Sequence, residues 1–107
     1  MLKKITSLQN KEVKWLLQLQ EKSRIRRKEN AFLVEGLKET SLAVAHHYEL
    51  LHLYYVPEKI EFQEVLDLVK KGDQHTEQIT ELSQEVYEKI AYRGSTEGVI
   101  AVFRTLE

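Results

Sequence analysis

Apolar and polar positions along the chain change rhythm several times. Val13, Leu16 and Leu17 recur at helical spacing, with Trp15 and Leu19 beside them, after an Asn10 whose side-chain oxygen suits a helix N-cap. The pattern lets this helix run on as far as Lys28. Ala31-Phe32-Leu33-Val34 is a continuous apolar run, which predicts a strand covered on both faces. Leu37 to Tyr48 reads as a helix through Ala43, Val44 and Ala45, and Leu50 to Val56 as a second strand stopped by Pro57. Phe62, Val65, Leu66 and Val69 repeat at i, i+3, i+4, i+7, and Gly72 supplies the stop. A third strand is expected around Gln78-Ile79-Thr80. Ser83 then caps a helix through Ile90, with Leu82 placed to staple onto Tyr87. Val99 to Leu106 closes the chain as a strand. Because strands alternate with helices, the expected fold class is α/β, a three-layer α/β/α sandwich with a small mixed sheet of about four strands.

Composition narrows the class without changing this picture. A length of 107 residues allows one domain with a proper core, and 42% hydrophobic with 31% charged residues is the balance of an ordinary soluble protein. The absence of cysteine removes a disulfide framework, and no N-terminal apolar stretch resembles a secretory signal, so the default location is cytoplasmic, with no membrane partner. Charge does change the picture. Residues 1–38 hold 10 Lys and Arg against four Glu, whereas residues 39–107 hold six against 13 acids, so a net charge of −1 hides a basic front and an acidic rear. Each half can be a solvated face, but this asymmetry is also the footprint of a protein that meets a polyanion on one side.

Most chemistry-bearing patterns are missing. The glycines at 36, 72, 94 and 98 form no phosphate-cradling loop. His46 and His47 are adjacent, so on a helix they diverge by about 100° and do not converge on a metal. A nucleophile would have to be Ser95 or Thr96 in the loop from Tyr92 to Gly98, where turn residues look the same. No catalytic residue and no metal ligand is assigned. The segment from Lys22 to Lys28 differs in kind, with five cations in seven positions immediately before the first apolar run. Arg24, Arg27 and Lys28 share a helical face, and Lys22 with Arg26 makes a second edge. Lys11 and Lys14 lie on the preceding helix, and guanidinium forks suit phosphate oxygens. Trp15, Tyr54, Tyr55, Tyr87 and Tyr92 are the aromatic residues near enough in kind for base stacking, though most read as core. On composition alone, nucleic-acid binding and a solvated helix end both stand.

Three local patterns in order extend this reading. Ser7-Leu8-Gln9-Asn10 precedes the first helix, Arg26 precedes Phe32-Leu33-Val34-Glu35-Gly36, and about 60 residues later Gly98-Val99-Ile100-Ala101-Val102 opens the last strand. In these the chain resembles the N-terminal substrate-binding domain of the SpoU/TrmH family of RNA 2′-O-ribose methyltransferases, across nearly its whole length. It has Lys11 and Thr96 where the family often has Pro. The resemblance implies a fold like that of kink-turn-binding ribosomal proteins, set ahead of a separate knotted domain. That domain would bind S-adenosylmethionine, form a homodimer and methylate a ribose hydroxyl, so this chain itself would be non-catalytic and hold no cofactor.

The partner implied is ribosomal or transfer RNA. Phosphate contact is expected from Arg24, Arg26, Arg27 and Lys28, with Lys14, Arg93 and the Asn10 turn in support. Glu35 and Gly36 end a strand where loops gather. A Glu near a helix start is stabilised by free N–H groups and a Gly permits a tight strand-to-helix passage, so structural and functional readings of this pair both stand. Two alternatives remain open, a protein-interaction module and a free-standing kink-turn-type RNA-binding protein.

Overall fold

A computed structural model of the chain describes residues 2–72, 78–91 and 97–106. Among these residues five strands and five helices follow in the order β1 (Lys3–Ile5), α1 (Lys11–Glu21), α2 (Ser23–Glu29), β2 (Ala31–Glu35), α3 (Leu37–Ala45), β3 (Leu50–Tyr55), α4 (Phe62–Lys71), β4 (Ile79–Leu82), α5 (Gln84–Ile90) and β5 (Val99–Arg104). The strands form one mixed sheet in the order β1-β4-β3-β5-β2. Parallel pairs join β1 to β4 and β4 to β3, while β5 runs antiparallel to both β3 and β2. The expected α/β/α sandwich is therefore present, with five strands rather than about four.

Strand alternation sorts the core into two halves. Ile100 and Val102 of β5 face α1 and α5, meeting Val13, Leu16, Leu19, Val86, Tyr87 and Ile90. Val99, Ala101 and Phe103 face the other way, toward Val44 of α3 and Val65, Leu68 and Val69 of α4. A strand covered on both faces can bury every side chain, which is why β5 reads as an unbroken apolar run. Asn10 and Ser83 cap α1 and α5 as expected, accepting from the backbone N–H groups of Glu12 at 2.7 Å and Val86 at 3.2 Å. The third helix stops earlier than the pattern suggests. His47, at φ +66°, takes the left-handed position usually given to glycine, its N–H bonds the Val44 carbonyl, and the Tyr48 N–H bonds that of Ala43, which closes a Schellman turn.

Two sequence readings are corrected by the packing and a third is refined. β1 is a strand the pattern does not reveal, because two of its three residues are exposed lysines and only Ile5 enters the core. β2 is covered on both faces as expected, with Ala31 and Leu33 packed on the α1 side and Phe32 and Val34 on the α3 side, but it lies at the sheet edge, and four of its five residues are only half-buried. The first helix does not continue to Lys28. Lys22 adopts extended dihedrals (φ −122°, ψ 110°) and α2 starts again at Ser23. In an unbroken helix the N–H groups of Ser23 and Arg24 would take the carbonyls of Leu19 and Gln20. Here Arg26 Nη1 donates to both, at 2.6 and 3.1 Å, and the turn lets Ile25 pack against the core.

A polar seam runs through the α1 side of the sheet. Tyr54 Oη donates to Glu12 Oε2 and Lys3 Nζ to Glu12 Oε1, while His52 Nε2 and the buried Thr80 Oγ1 lie 2.6 Å apart. Burial pulls the Glu12 carboxyl upward, but the bonds from Lys3 and Tyr54 and the Lys3 charge outweigh it and hold the group below its ordinary value. Burial depresses the His52 imidazole, opposed by the Glu12 charge and assisted by that of Lys3. Burial and the bond to Glu12 both raise Tyr54.

Two outcomes follow from this packing. Lowering the pH below the ordinary imidazole value of 6.5 should destabilise the fold, because the unfolded chain takes up a proton that folded His52 accepts only at lower pH. Urea midpoints measured from neutral pH downward check this, and the slope should flatten in His52→Gln. At the start of α3, Gly36 sits at φ +100° and a Cβ there would lie 2.6 Å from Glu39 Oε1 and 2.9 Å from Glu97 Oε2. Gly36→Ala should therefore lose about 1–3 kcal/mol of unfolding free energy, read from the same denaturation curves.

Candidate nucleic-acid interface

The basic segment becomes α2, a seven-residue helix beside the edge strand β2. Its last turn contains Arg26, Arg27 and Lys28, and it ends at Asn30 in the left-handed conformation (φ 54°, ψ 44°), whose N–H bonds the Arg26 carbonyl. Cations in a last turn are stabilised by the unpaired carbonyls there, so part of this placement serves the helix itself. The Asn30 carbonyl accepts from the Thr105 N–H at 2.9 Å, which ties the end of α2 to the end of β5.

The four central candidates divide into two kinds. Arg24, Arg27 and Lys28 are exposed, and among the described residues none of them makes an ion pair or a side-chain hydrogen bond. Arg26 is half-buried and spends one terminal nitrogen on the α1 carbonyls. It is the hinge pin of the segment, holding the other three at the surface. Another cation at this end of the sheet, Arg104, is engaged with Glu49 at 3.0 Å. Glu21 and Glu29 are exposed at the ends of α1 and α2, so the ridge is cationic with acidic flanks.

The remaining candidates lie elsewhere. Asn10 caps α1 and Lys14 is exposed one turn in, about 12 Å along the helix axis from Lys22. Glu35 is at the far end of β2 from α2, about 13 Å from Ala31. Its Oε2 accepts from Gln20 Nε2 at 2.7 Å, and the same nitrogen donates to the Ile90 carbonyl at 3.0 Å, so this amide knits β2, α1 and α5 together. Gly36 opens α3, where Glu97 Oε1 accepts from the Leu37 N–H at 3.0 Å and Thr40 Oγ1 donates to the Gly36 carbonyl at 2.7 Å. The pair thus has a structural task in the strand-to-helix passage. Arg93, with Ser95 and Thr96, lies outside the described residues.

Sequence reasoning missed the hollow beside α2. A groove of about 530 Å³ is lined by Ser23, Arg26, Arg27, Asn30 and Phe32 together with Thr105 and Leu106. These residues are separated by most of the chain and meet because Ala31 is paired with Arg104 in the β2–β5 register. The one local signal was Asn30, an amide at the end of a helical pattern, which suits a left-handed C-cap.

Comparison with known proteins gives the surface a context. No match is found among curated protein sequences. An rRNA methyltransferase from Sinorhizobium meliloti superposes with a TM-score of 0.76 at 24% identity, covering 98% of this chain and 38% of that one. An RNA 2′-O ribose methyltransferase gives 0.73 at 26% identity, with 97% and 38% covered. The AdoMet-bound SpoU methyltransferase AviRb from Streptomyces viridochromogenes gives 0.70 at 19%, with 92% and 37% covered. The chain thus spans a little over a third of the length of these enzymes and shares the fold of that part. The family model described as MRM3-like substrate binding domain matches residues 10–101, nearly all of the folded body, and the chain belongs to that family.

Proposed function

We propose that this domain grips structured RNA, ribosomal or transfer, and presents it to the methyl-transfer domain of a cytoplasmic, S-adenosylmethionine-dependent ribose 2′-O-methyltransferase. One observation carries the reading most directly. Arg24, Arg27 and Lys28 stand exposed and without ion pairs among the described residues, on a helix whose direction is set by a fourth cation. The two guanidinium forks suit phosphate oxygens, and the Lys28 ammonium adds a third positive charge beside them. Lys14 and the Asn10 turn extend the basic face along α1, and Arg93 is assigned to the same role. The domain contributes binding and orientation, with no catalytic group of its own. The methyl donor and the homodimer contacts belong to the catalytic domain of the full-length enzyme.

Positioning is itself a catalytic contribution. A target ribose held near the methyl donor reacts in a nearly unimolecular step, so a recognition domain that fixes the RNA lowers the barrier without touching the reacting atoms.

The salt dependence of binding tests the proposal. With about six phosphates engaged, log affinity should fall against log salt with a slope near −4 to −5, and a flat response in a filter-binding or anisotropy titration would remove the electrostatic basis. Replacing Arg24, Arg27 and Lys28 together by Gln should reduce the slope by about 2 to 3, one phosphate for each cation. Arg26→Gln has a different expected signature. It uncovers the α1 carbonyls and should lower unfolding stability by about 1.5–3 kcal/mol, the range for hydrogen bonds to a charged group. The surface triple variant should leave the denaturation midpoint nearly unchanged.

A further inference from the structure

We infer that the groove between α2 and the sheet edge is a subsite for one unstacked RNA base, with the backbone phosphates beside it lying on the α2 ridge. The inference rests on the proposed RNA-binding function and adds where, and by which chemistry, a nucleotide is held.

Three kinds of group needed for a nucleotide converge there. Arg27 supplies cationic charge at the rim, and with Arg24 and Lys28 it continues onto the exposed face of α2. Phe32 and Leu106 supply an apolar floor. Leu106 is 62% exposed, and Phe32, an aromatic residue on the edge strand, is only half-buried. The Phe32 ring is held in place by an edge contact to Tyr48, with centroids 5.4 Å apart, and by stacking on Phe103 at 6.0 Å. The ring packs toward the α3 side of the sheet, and its surroundings hold still the part of Phe32 that lines the groove, which lowers the entropy lost when a base lies against it. Asn30 and Thr105 supply the third kind. An amide, with both donor and acceptor, and a hydroxyl stand beside the floor, and these can pair with the polar edge of a base.

The charge around the groove decides between occupants. An apolar hollow alone suits many ligands, but Arg26 and Arg27 line this one and Arg24 and Lys28 continue the positive charge along α2, and among the described residues only Arg26 of these four is committed within the fold. An anionic ligand with a flat apolar part satisfies both features. The volume of about 530 Å³ falls in the range of roughly 300–1,000 Å³ typical of pockets for small ligands, which is room for a single nucleotide rather than for a helix face or a duplex.

The test separates base from phosphate. A uridine octamer and an abasic octamer of the same ribose-phosphate backbone are titrated onto the chain across a salt series. Stacking in the groove should make the uridine octamer bind roughly fivefold to a hundredfold more tightly, with the same salt slope for both. In the unaltered protein, the Phe32 ring and Leu106 methyl resonances should shift with the uridine octamer and stay in place with the abasic one. Leu106→Ala should narrow the difference between the two octamers. Equal affinities with a steep slope for both would overturn the base subsite and leave phosphate gripping intact. No binding of either octamer, or of folded RNA, would overturn the RNA reading and the subsite with it. Resonances of Phe32 and Leu106 that stay in place with the uridine octamer while those of Arg27 move would show phosphate contact on the ridge with no base in the groove, and would also overturn the inference.

Discussion

The Arg26 guanidinium against the carbonyls of Leu19 and Gln20 is the contact on which the geometry of this surface depends. Every helix ends with carbonyls that lack an intrahelical partner, and a chain leaving the helix must satisfy them some other way. Continuing the helix through Lys22 would satisfy them with backbone N–H groups, so the hydrogen bonds alone do not favour the break. Packing decides. The turn at Lys22 brings Ile25 back onto the core and delivers Ala31, 1% exposed, to the sheet. Burying an aliphatic side chain is worth about 1.5–3 kcal/mol when complete, whereas a straight helix would carry Ile25 and the start of β2 away from the sheet. One arginine thus makes an otherwise costly helix end tolerable. The three remaining cations of α2 are displayed as a result.

That display has an energetic consequence. Like charges three and four residues apart on a helix repel by a few tenths of a kcal/mol per pair, and the attraction of the α2 carbonyl end is of similar size for the cations nearest it. The two effects nearly cancel, so the ridge neither stabilises nor seriously strains the domain. Stability lies elsewhere, in the two apolar halves on either side of the sheet and in the seam of Glu12, Tyr54, His52 and Thr80. A surface free of structural duty is free to serve a partner. The same reasoning weighs against Glu35 and Gly36 as a recognition pair, since both are engaged in joining β2 to the helices around it.

How far the sequence alone reaches depends on how local the cause is. Helix α4 and strand β5 could be read directly, because their apolar periods are set by the two-sided core and nothing distant intervenes. The caps at Asn10 and Ser83 were equally legible, since each cap and its partner are two or three residues apart. Strand β1 was hidden because its pairing partner β4 lies far along the chain, and Lys3-Lys4-Ile5 has no alternation of its own. The break at Lys22 was hidden for a related reason. Packing of Ile25 on a core drawn from the whole chain favours it, and it is made tolerable by a side chain four residues later that reaches back to a carbonyl seven residues away. Gly36 could be recognised as a turn residue, but its neighbour Glu97 lies 60 residues beyond Leu37. The groove beside α2 was beyond any local pattern, since strand pairing assembles it from both ends of the chain.

The same strand pairing links recognition to what would follow it. Antiparallel β2 and β5 put Ala31 opposite Arg104, so the start of β2 and the end of β5 lie side by side, and the bond from the Thr105 N–H to the Asn30 carbonyl fastens α2 to that corner. A methyl-transfer domain of the proposed enzyme, placed after this one, would continue from the end of β5. RNA held on α2 would then lie beside the point where that domain begins, and a rigid corner would transmit its position better than a loop. A short helix pinned by one guanidinium to α1, and by one backbone bond to β5, has little freedom to rotate between the two. The direction of the cationic ridge relative to the departing chain is therefore a property of the fold, and orientation of the substrate can be inherited from it without any contact to the reacting atoms.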